Sequence, residues 1–380
     1  MDLRRGFEDA RRAEDEWSLV YEGLEPRDEG TRETLLTCGN GYMAARGAAP
    51  EARADGVHYP GTYVAGVYNR LVSYVEGGPR EDESIVNLPN WLPLTFRADE
   101  EDWFEPGSYR IVDHRAALDL RRGLYLRDLT VVDPRGRRTR VRQERLVSMD
   151  RPHLAYLRTV LTPEDWSGAL CVRSLLDGRV ENGNVAEFAA LAKRHLGPPA
   201  TGHDEHSVWL VAETTTSGIR VAEAMRTAVH AGSVPERRPV GGPGWAGEEL
   251  TVAVEPGSPV TVDKTVAVYT SRDRAISEPL DAARRELADA PGFPAARDAH
   301  ALVWEQLWRR FRLSFDGTDR VADRRAVNVH LCHVLQTLSH HSADWTWACP
   351  PAGCTGRRTG GGSSGTSCSS FRYRICACPS

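Results

Sequence analysis

Acid–base catalysis needs two carboxyl groups whose surroundings push their pKa values apart, and this 380-residue chain gathers acidic residues in two runs. Glu81-Asp82-Glu83 and Asp99-Glu100-Glu101-Asp102 lie in polar stretches with no apolar neighbours to raise a pKa, so both read as solvated loops. Metal binding needs convergent ligands. His330 and His333 stand three apart on a helical period, with His340 and His341 close by, but no carboxylate or cysteine joins them at ligand spacing. They read as core or helix-end histidines. Cys349 and Cys354 have a zinc-like gap, whereas Cys376-Ala377-Cys378 is too tight for the other half of a site. We therefore expect no metal and no cofactor. Gly39-Asn40-Gly41-Tyr42-Met43-Ala44 satisfies the formal G-x-G-x-x-A dinucleotide pattern, yet no useful helix can follow before Pro50 and no βαβ unit surrounds it. Those glycines read instead as turn formers with positive φ, and Tyr59, Tyr63 and Tyr68 as packing residues. Asn87, Asn90 and Trp91 combine amide donors and acceptors with a flat apolar face, which suits the hydroxyls and CH-rich side of a pyranose. These three are the candidate substrate-binding residues, and no residue is assigned a catalytic role.

The elements that must position them follow from periodicity. From about residue 108 to 270, short alternating runs are punctuated by turn residues, as in an antiparallel β domain. Residues 124–132 precede the turn Asp133-Pro134-Arg135-Gly136, after which Thr139, Val141 and Gln143 alternate with arginines. Further strands are expected at 153–160, 169–176, 208–212, 219–222, 250–254 and 260–269, and one large β-sandwich is the simplest packing. Near 276 the period lengthens: Leu280, Ala283 and Leu287, then Ala301, Trp304, Leu307, Trp308 and Phe311, mark amphipathic helices. Another helix over 321–338 carries Ala326, Val329, His330, His333, Val334 and Leu338 along one side. After Asp344 both periods vanish into Gly, Ser, Cys and Arg.

Length favours at least two domains. The net charge of −5 arises from interspersed residues, which excludes a basic nucleic-acid footprint, and no apolar run would span a bilayer. A neutral small molecule in the cytoplasm is the expected setting. Sparse Cys38, Cys171 and Cys332 fit a reduced compartment without disulfides.

Arg32 to Gly47 contains Glu33-Thr34, Gly39-Asn40-Gly41-Tyr42 and Arg46-Gly47. It is followed by His58-Tyr59-Pro60-Gly61-Thr62-Tyr63-Val64-Ala65-Gly66-Val67-Tyr68-Asn69 and by Val86-Asn87-Leu88-Pro89-Asn90-Trp91-Leu92-Pro93. In this order the three motifs resemble the opening of glycoside hydrolase family 65, and shorter matches extend the resemblance over roughly 16–343. It implies a mostly β N-terminal super-sandwich over 1–272, a helical linker over 273–318 and the first helix of a truncated (α/α)6 barrel over 319–343. It further implies an inverting phosphorylase of α-linked glucose disaccharides such as maltose, trehalose or kojibiose, with inorganic phosphate as co-substrate and β-glucose 1-phosphate as product. The family's acid is a glutamate deep in the barrel, beyond position 380 by domain order, so the isolated chain is expected to be inactive. An α-glucoside hydrolase and a non-catalytic carbohydrate-binding β-sandwich are the competing expectations, and a homodimer is implied by the family. Residues 344–380 read as an aberrant, frameshifted, disordered tail: a one-base shift turns Gly356 to Gly360 into Gly-Glu-Ala-Tyr-Arg-Gly, which resembles the family's barrel entrance. On this view the helix at 321–338 has lost its partners, leaving Val327, Val329, Leu331, Val334 and Leu338 uncovered and the chain from about 320 disordered or aggregation-prone.

Overall fold

The computed structural model describes residues 15–75, 77–183, 191–205, 207–313 and 320–342; the frameshift expected within 344–380, and the cysteines there, lie outside the described residues. The front of the chain gives β1 (Ser18–Glu22), α1 (Glu29–Leu35), the short strands β2 (Cys38–Gly39), β3 (Met43–Ala45) and β4 (Thr62–Val64), the hairpin β5 (Tyr68–Val75) and β6 (Gly78–Ile85), and β7 (Leu94–Ala98). Longer strands follow: β8 (Arg110–Asp119), β9 (Leu124–Val132), β10 (Arg138–Val147), β11 (Leu154–Pro163) and β12 (Gly168–Asp177). Then come β13 (Ala200–His203), β14 (Val208–Glu213), β15 (Arg220–His230), β16 (Glu236–Gly242), β17 (Trp245–Val254) and β18 (Val260–Thr270). Three α-helices close the described chain: α2 (Pro279–Ala288), α3 (Phe293–Phe311) and α4 (Val321–Thr337).

Nine strands form one antiparallel sheet in the order β1-β8-β9-β10-β11-β18-β15-β14-β13. A second sheet, β16-β17-β12-β7, packs on one of its faces, and the apolar side chains between them form the main core. In β10 the alternation expected from sequence is realised: Thr139, Val141 and Gln143 are buried while Arg140 reaches out to pair with Asp128 at 2.7 Å. The other face of the large sheet is covered by α2 and the start of α3, where Ala283, Leu287, Phe293 and Ala296 meet Leu126, Leu146 and Tyr156. Further along α3, Trp304 and Trp308 insert beside Trp17, and Trp308 Nε1 donates to the Leu120 carbonyl at 2.9 Å. Fully burying one such side chain stabilises by roughly 1.5–3 kcal/mol, so α3 is bound firmly to the sheet.

The fate expected for α4 is corrected. Val329, Cys332 and Leu335 are buried in the main core and Leu331 packs against it. Asn328 Nδ2 donates to the Glu16 carbonyl at 3.1 Å, and the His333 ring is bonded to the Leu35 carbonyl. The helix therefore docks on β1 and β2, and the face it buries is not the one expected. Ala326, His330, Val334 and Leu338 form an exposed stripe, with Val334 46% and Leu338 55% accessible. Polar Asn328 takes the inner position because backbone acceptors from residues 15–16 are waiting there. Among the described residues no helix is long and apolar enough to cross a membrane.

Candidate functional site

Two of the three sequence candidates line one cleft. The segments around 50–54, 87–95 and 173–181 enclose about 350 Å³, toward the lower end of the ~300–1,000 Å³ typical of small-ligand sites. Asn87 and Asn90 line it; Trp91 does not, being 0% exposed within the core with its indole N–H unpartnered. Its expected role as a sugar platform is corrected: Asn90 borders the cleft while the adjacent Trp91 side chain is buried in the core.

The cleft is rigidly built. Asn90 N donates to Asp177 O at 2.7 Å and Asp177 N returns a bond to Asn90 O at 3.0 Å, while Leu175 N donates to Pro93 O at 3.0 Å. Underneath, the fully buried Lys264 Nζ donates to the Pro93 and Leu175 carbonyls at 3.0 and 2.6 Å, riveting both cleft-forming segments to the large sheet. Asn87 Oδ1 accepts from Thr62 N at 3.1 Å, and its Nδ2 donates to Glu181 O at 3.2 Å. Asn90 Oδ1 accepts from Leu92 N at 3.0 Å.

Charges in and around the cleft are paired. Arg53 holds Glu105 at 2.6 Å, Arg179 holds Asp177 at 2.7 Å, Arg194 reaches Glu181 at 3.3 Å, and Arg173 binds Glu249 at 2.6 Å while stacking over Trp103 at 3.9 Å. Glu51 faces both this cleft and a neighbouring cavity of about 210 Å³. It is clamped by Arg127 through bonds of 2.7 and 2.9 Å, with both side chains only 3% exposed. Arg127 Nε also donates to His114 Nε2 at 3.2 Å. Burial and then the Arg127 charge push that imidazole down to about 3, so it stays neutral.

A leaving-group acid has to hold its proton at the reaction pH, and burial shifts one described carboxyl strongly in that direction. Burial drives the Glu223 carboxyl well above its ordinary range, against the pull of Lys264. Lys264 is in turn brought down to about 7, first by burial, with Glu223 and Glu248 opposing. Yet Glu223 is 0% exposed, its oxygens have no hydrogen-bond partner among the described residues, and no substrate can reach it. The acidic runs also differ from expectation. Glu81 and Glu83 are solvated, but Asp82 is buried, and Asp99 accepts from Ala169 N at 2.9 Å and from Arg137. His333 and His341 bond the Leu35 and Met149 carbonyls, whereas His330 is exposed.

Residues 19–307 match the model of "Glycosyl hydrolase family 65, N-terminal domain". The chain belongs to glycosyl hydrolase family 65. It is 38% identical to an uncharacterized glycosyl hydrolase of Mycobacterium tuberculosis over 353 residues, 92% of this chain and 26% of that protein. It is 26% identical to the kojibiose phosphorylase of Caldanaerobacter subterraneus over 335 residues, 85% of this chain and 41% of that enzyme. A solved structure described as "Putative kojibiose phosphorylase from human microbiome" shares the fold, with a TM-score of 0.72 at 17% identity, over 85% of this chain and 42% of the other. The family 65 chain thus spans between about a quarter and two fifths of the length of these relatives.

In this family 65 domain the signature motif acts as scaffold. Glu33 Oε1 bonds His58 Nδ1 and its Oε2 accepts from Tyr59 N, both at 2.9 Å. Arg46 reaches Tyr59 O, Thr34 Oγ1 and Gly30 O at 2.8–3.0 Å. Asn40 is fully buried, donating to Ser148 O and Pro152 O and accepting from Tyr42 N and Met43 N. Gly41 has φ +88°, which needs glycine, and a Cβ on Gly47 would stand 2.6 Å from that of Leu36. Arg127, Glu51, Lys264 and Glu223 went unremarked in the sequence. Their signal was a charge inside an apolar strand, as in Val262-Asp263-Lys264-Thr265-Val266.

Proposed function

We propose that this chain is the β-sandwich portion of a family 65 enzyme that cleaves α-linked glucose disaccharides by inverting phosphorolysis, and that its own residues support the reaction without performing it. In that reaction one carboxylic acid protonates the leaving oxygen while inorganic phosphate attacks the opposite face of the sugar, so an α-glucoside gives β-glucose 1-phosphate. The supporting observation is the state of the chain's carboxylates. Those lining the cleft and the neighbouring cavity are held by arginine, histidine or backbone donors, and Glu223, whose carboxyl burial raises well above its ordinary range, is sealed between the sheets. The acid would come from an (α/α)6 barrel, for which α4 is the proposed first helix, with its exposed Val334 and Leu338 stripe turned toward the rest. Hydrolysis is the second reading, favoured by the name of the mycobacterial relative.

Two measurements test this. Sequencing the gene across the codons for His340 to Ser380, and onward in three frames, is expected to reveal a frame encoding Gly-Glu-Ala-Tyr-Arg-Gly and a barrel beyond it; a frame that stands and stops refutes the barrel. Incubating the 380-residue chain with maltose, trehalose or kojibiose and phosphate should release no glucose 1-phosphate, and turnover would refute the supporting role. With the restored gene product, glucose release that consumes no phosphate would select hydrolysis.

A further inference from the structure

We propose that the cleft between residues 50–54, 87–95 and 173–181 is a binding site for a neutral mono- or disaccharide, built entirely from this chain, with Asn90 as its central donor. The inference stands on the cleft and does not require the reaction proposed above. Asn90 is 8% exposed and lines the cleft, and the Leu92 amide that donates to its Oδ1 fixes which end of the side chain is oxygen. Its Nδ2 has no hydrogen-bond partner among the described residues. Because Asn90 borders the open cleft, this spare donor is available to a ligand oxygen in place of the water that otherwise meets it.

The rest of the lining selects the class of ligand. Each arginine bordering the cleft already holds a carboxylate: Arg53 with Glu105, Arg173 with Glu249 and Arg179 with Asp177. A phosphate or carboxylate ligand would meet arginine charge already offset by these partners, whereas a hydroxyl can join the network at its edge as both donor and acceptor. Pro50, Pro60, Pro93, Leu175 and Val180 give apolar surface suited to the CH-bearing face of a sugar ring. The site is preformed, since the Asn90–Asp177 bridge and the Lys264 rivet fix its walls, so little ordering cost falls on binding.

The test titrates glucose, maltose and trehalose, with glucose 1-phosphate as the anionic control, into the full chain, followed by saturation-transfer NMR and calorimetry. Two variants are compared. Asn90→Asp keeps the acceptor for Leu92 and replaces the free donor with a second acceptor. Ala54→Trp fills the cleft from an exposed rim position and leaves the core alone. We expect a neutral saccharide to bind, glucose 1-phosphate to bind at least tenfold more weakly, and each variant to lose about tenfold or more in affinity with its thermal unfolding unchanged. If Asn90→Asp fails to fold, Ala54→Trp decides alone. No saccharide binding to the natural chain, binding undiminished in Ala54→Trp, or tighter binding of the phosphate ester would each overturn the proposal. Because binding is read without turnover, failure of the phosphorolysis assignment leaves these outcomes intact.

Discussion

Replacing Arg127 with methionine should destabilise the domain severely, and the structure sets the scale. Arg127 gives Glu51 two charge-assisted bonds of 2.7 and 2.9 Å, Gln143 one of 3.2 Å and His114 one of 3.2 Å, on the inner strand β9. Burial, the largest single influence, lowers the guanidinium's pKa, and the Glu51 charge together with Tyr125, the Glu51 hydrogen bonds and Glu29 outweighs it, so the net shift is upward. Methionine keeps much of the volume and removes every donor. It strands a carboxylate whose side chain is 3% exposed, and breaking such a buried pair costs about 3–5 kcal/mol. Urea unfolding of Arg127→Met against the natural chain should show a loss of that size. Adding Glu51→Gln should recover at least about 1 kcal/mol, since the two side chains touch and their effects are coupled. The His114 imidazole, held at about 3 by burial and by the Arg127 charge, should titrate at higher pH in the variant, which NMR of its ring protons will read. A cost below about 1 kcal/mol, or a double variant no better than the single one, would refute the claim that the pair is a buried tie between cavity and cleft.

His58 and Trp91 give two more tests. The hydrogen bond from Glu33 raises the His58 pKa above 6.5 against the effect of burial. The folded state therefore holds this proton more tightly than the unfolded chain, and the gain is complete below pH 6.5 and lost as pH rises through the folded value. The stability difference between the natural chain and His58→Gln should accordingly be largest below pH 6.5 and shrink above it; a difference independent of pH would show that the Glu33–His58 contact is not an ion pair. Trp91→Phe, which removes the sealed indole N–H together with part of the ring volume, should lower stability but leave saccharide affinity within about twofold by the same titration, because Trp91 does not line the cleft. A tenfold loss would return Trp91 to the cleft.

What the sequence revealed depended on whether a segment's burial is one-sided. Strands β9, β11, β12, β14 and β18 were legible almost to the residue, because turn signals bound them and apolar runs fill them. The strands β2, β3 and β4 are two or three residues long and buried on both faces, so no period marks them. Helix α4 was found but rotated: Ala326, Val334 and Leu338 look like an apolar stripe, yet the partner surface offered backbone acceptors, and Asn328, Cys332 and Leu335 turned inward. At the site, Asn87 and Asn90 were recoverable from their chemistry, whereas Trp91 was misplaced because composition cannot say which way a side chain points in an irregular segment. Asp99 misled for the opposite reason: a polar run looks solvated until another strand brings its donor.

The signature glutamate, asparagine and arginine explain why the family is easier to recognise here than its chemistry is to locate. Across residues 46–61 and 86–93 the chain forms no strand, so the backbone N–H and C=O groups there are not satisfied by ladders and must find other partners, side chains among them. Asn40 supplies four such bonds, and Arg46 and Glu33 supply five more contacts to backbone or side chain. A side chain that completes the hydrogen bonding of an irregular loop is constrained in type and spacing as tightly as a catalytic one, and it leaves the same kind of motif in the sequence. The motif therefore identifies the fold that needs those loops. The chemistry has to be argued from groups that border a cleft with bonding capacity to spare, which among the described residues means Asn90 before the arginine-paired carboxylates around it.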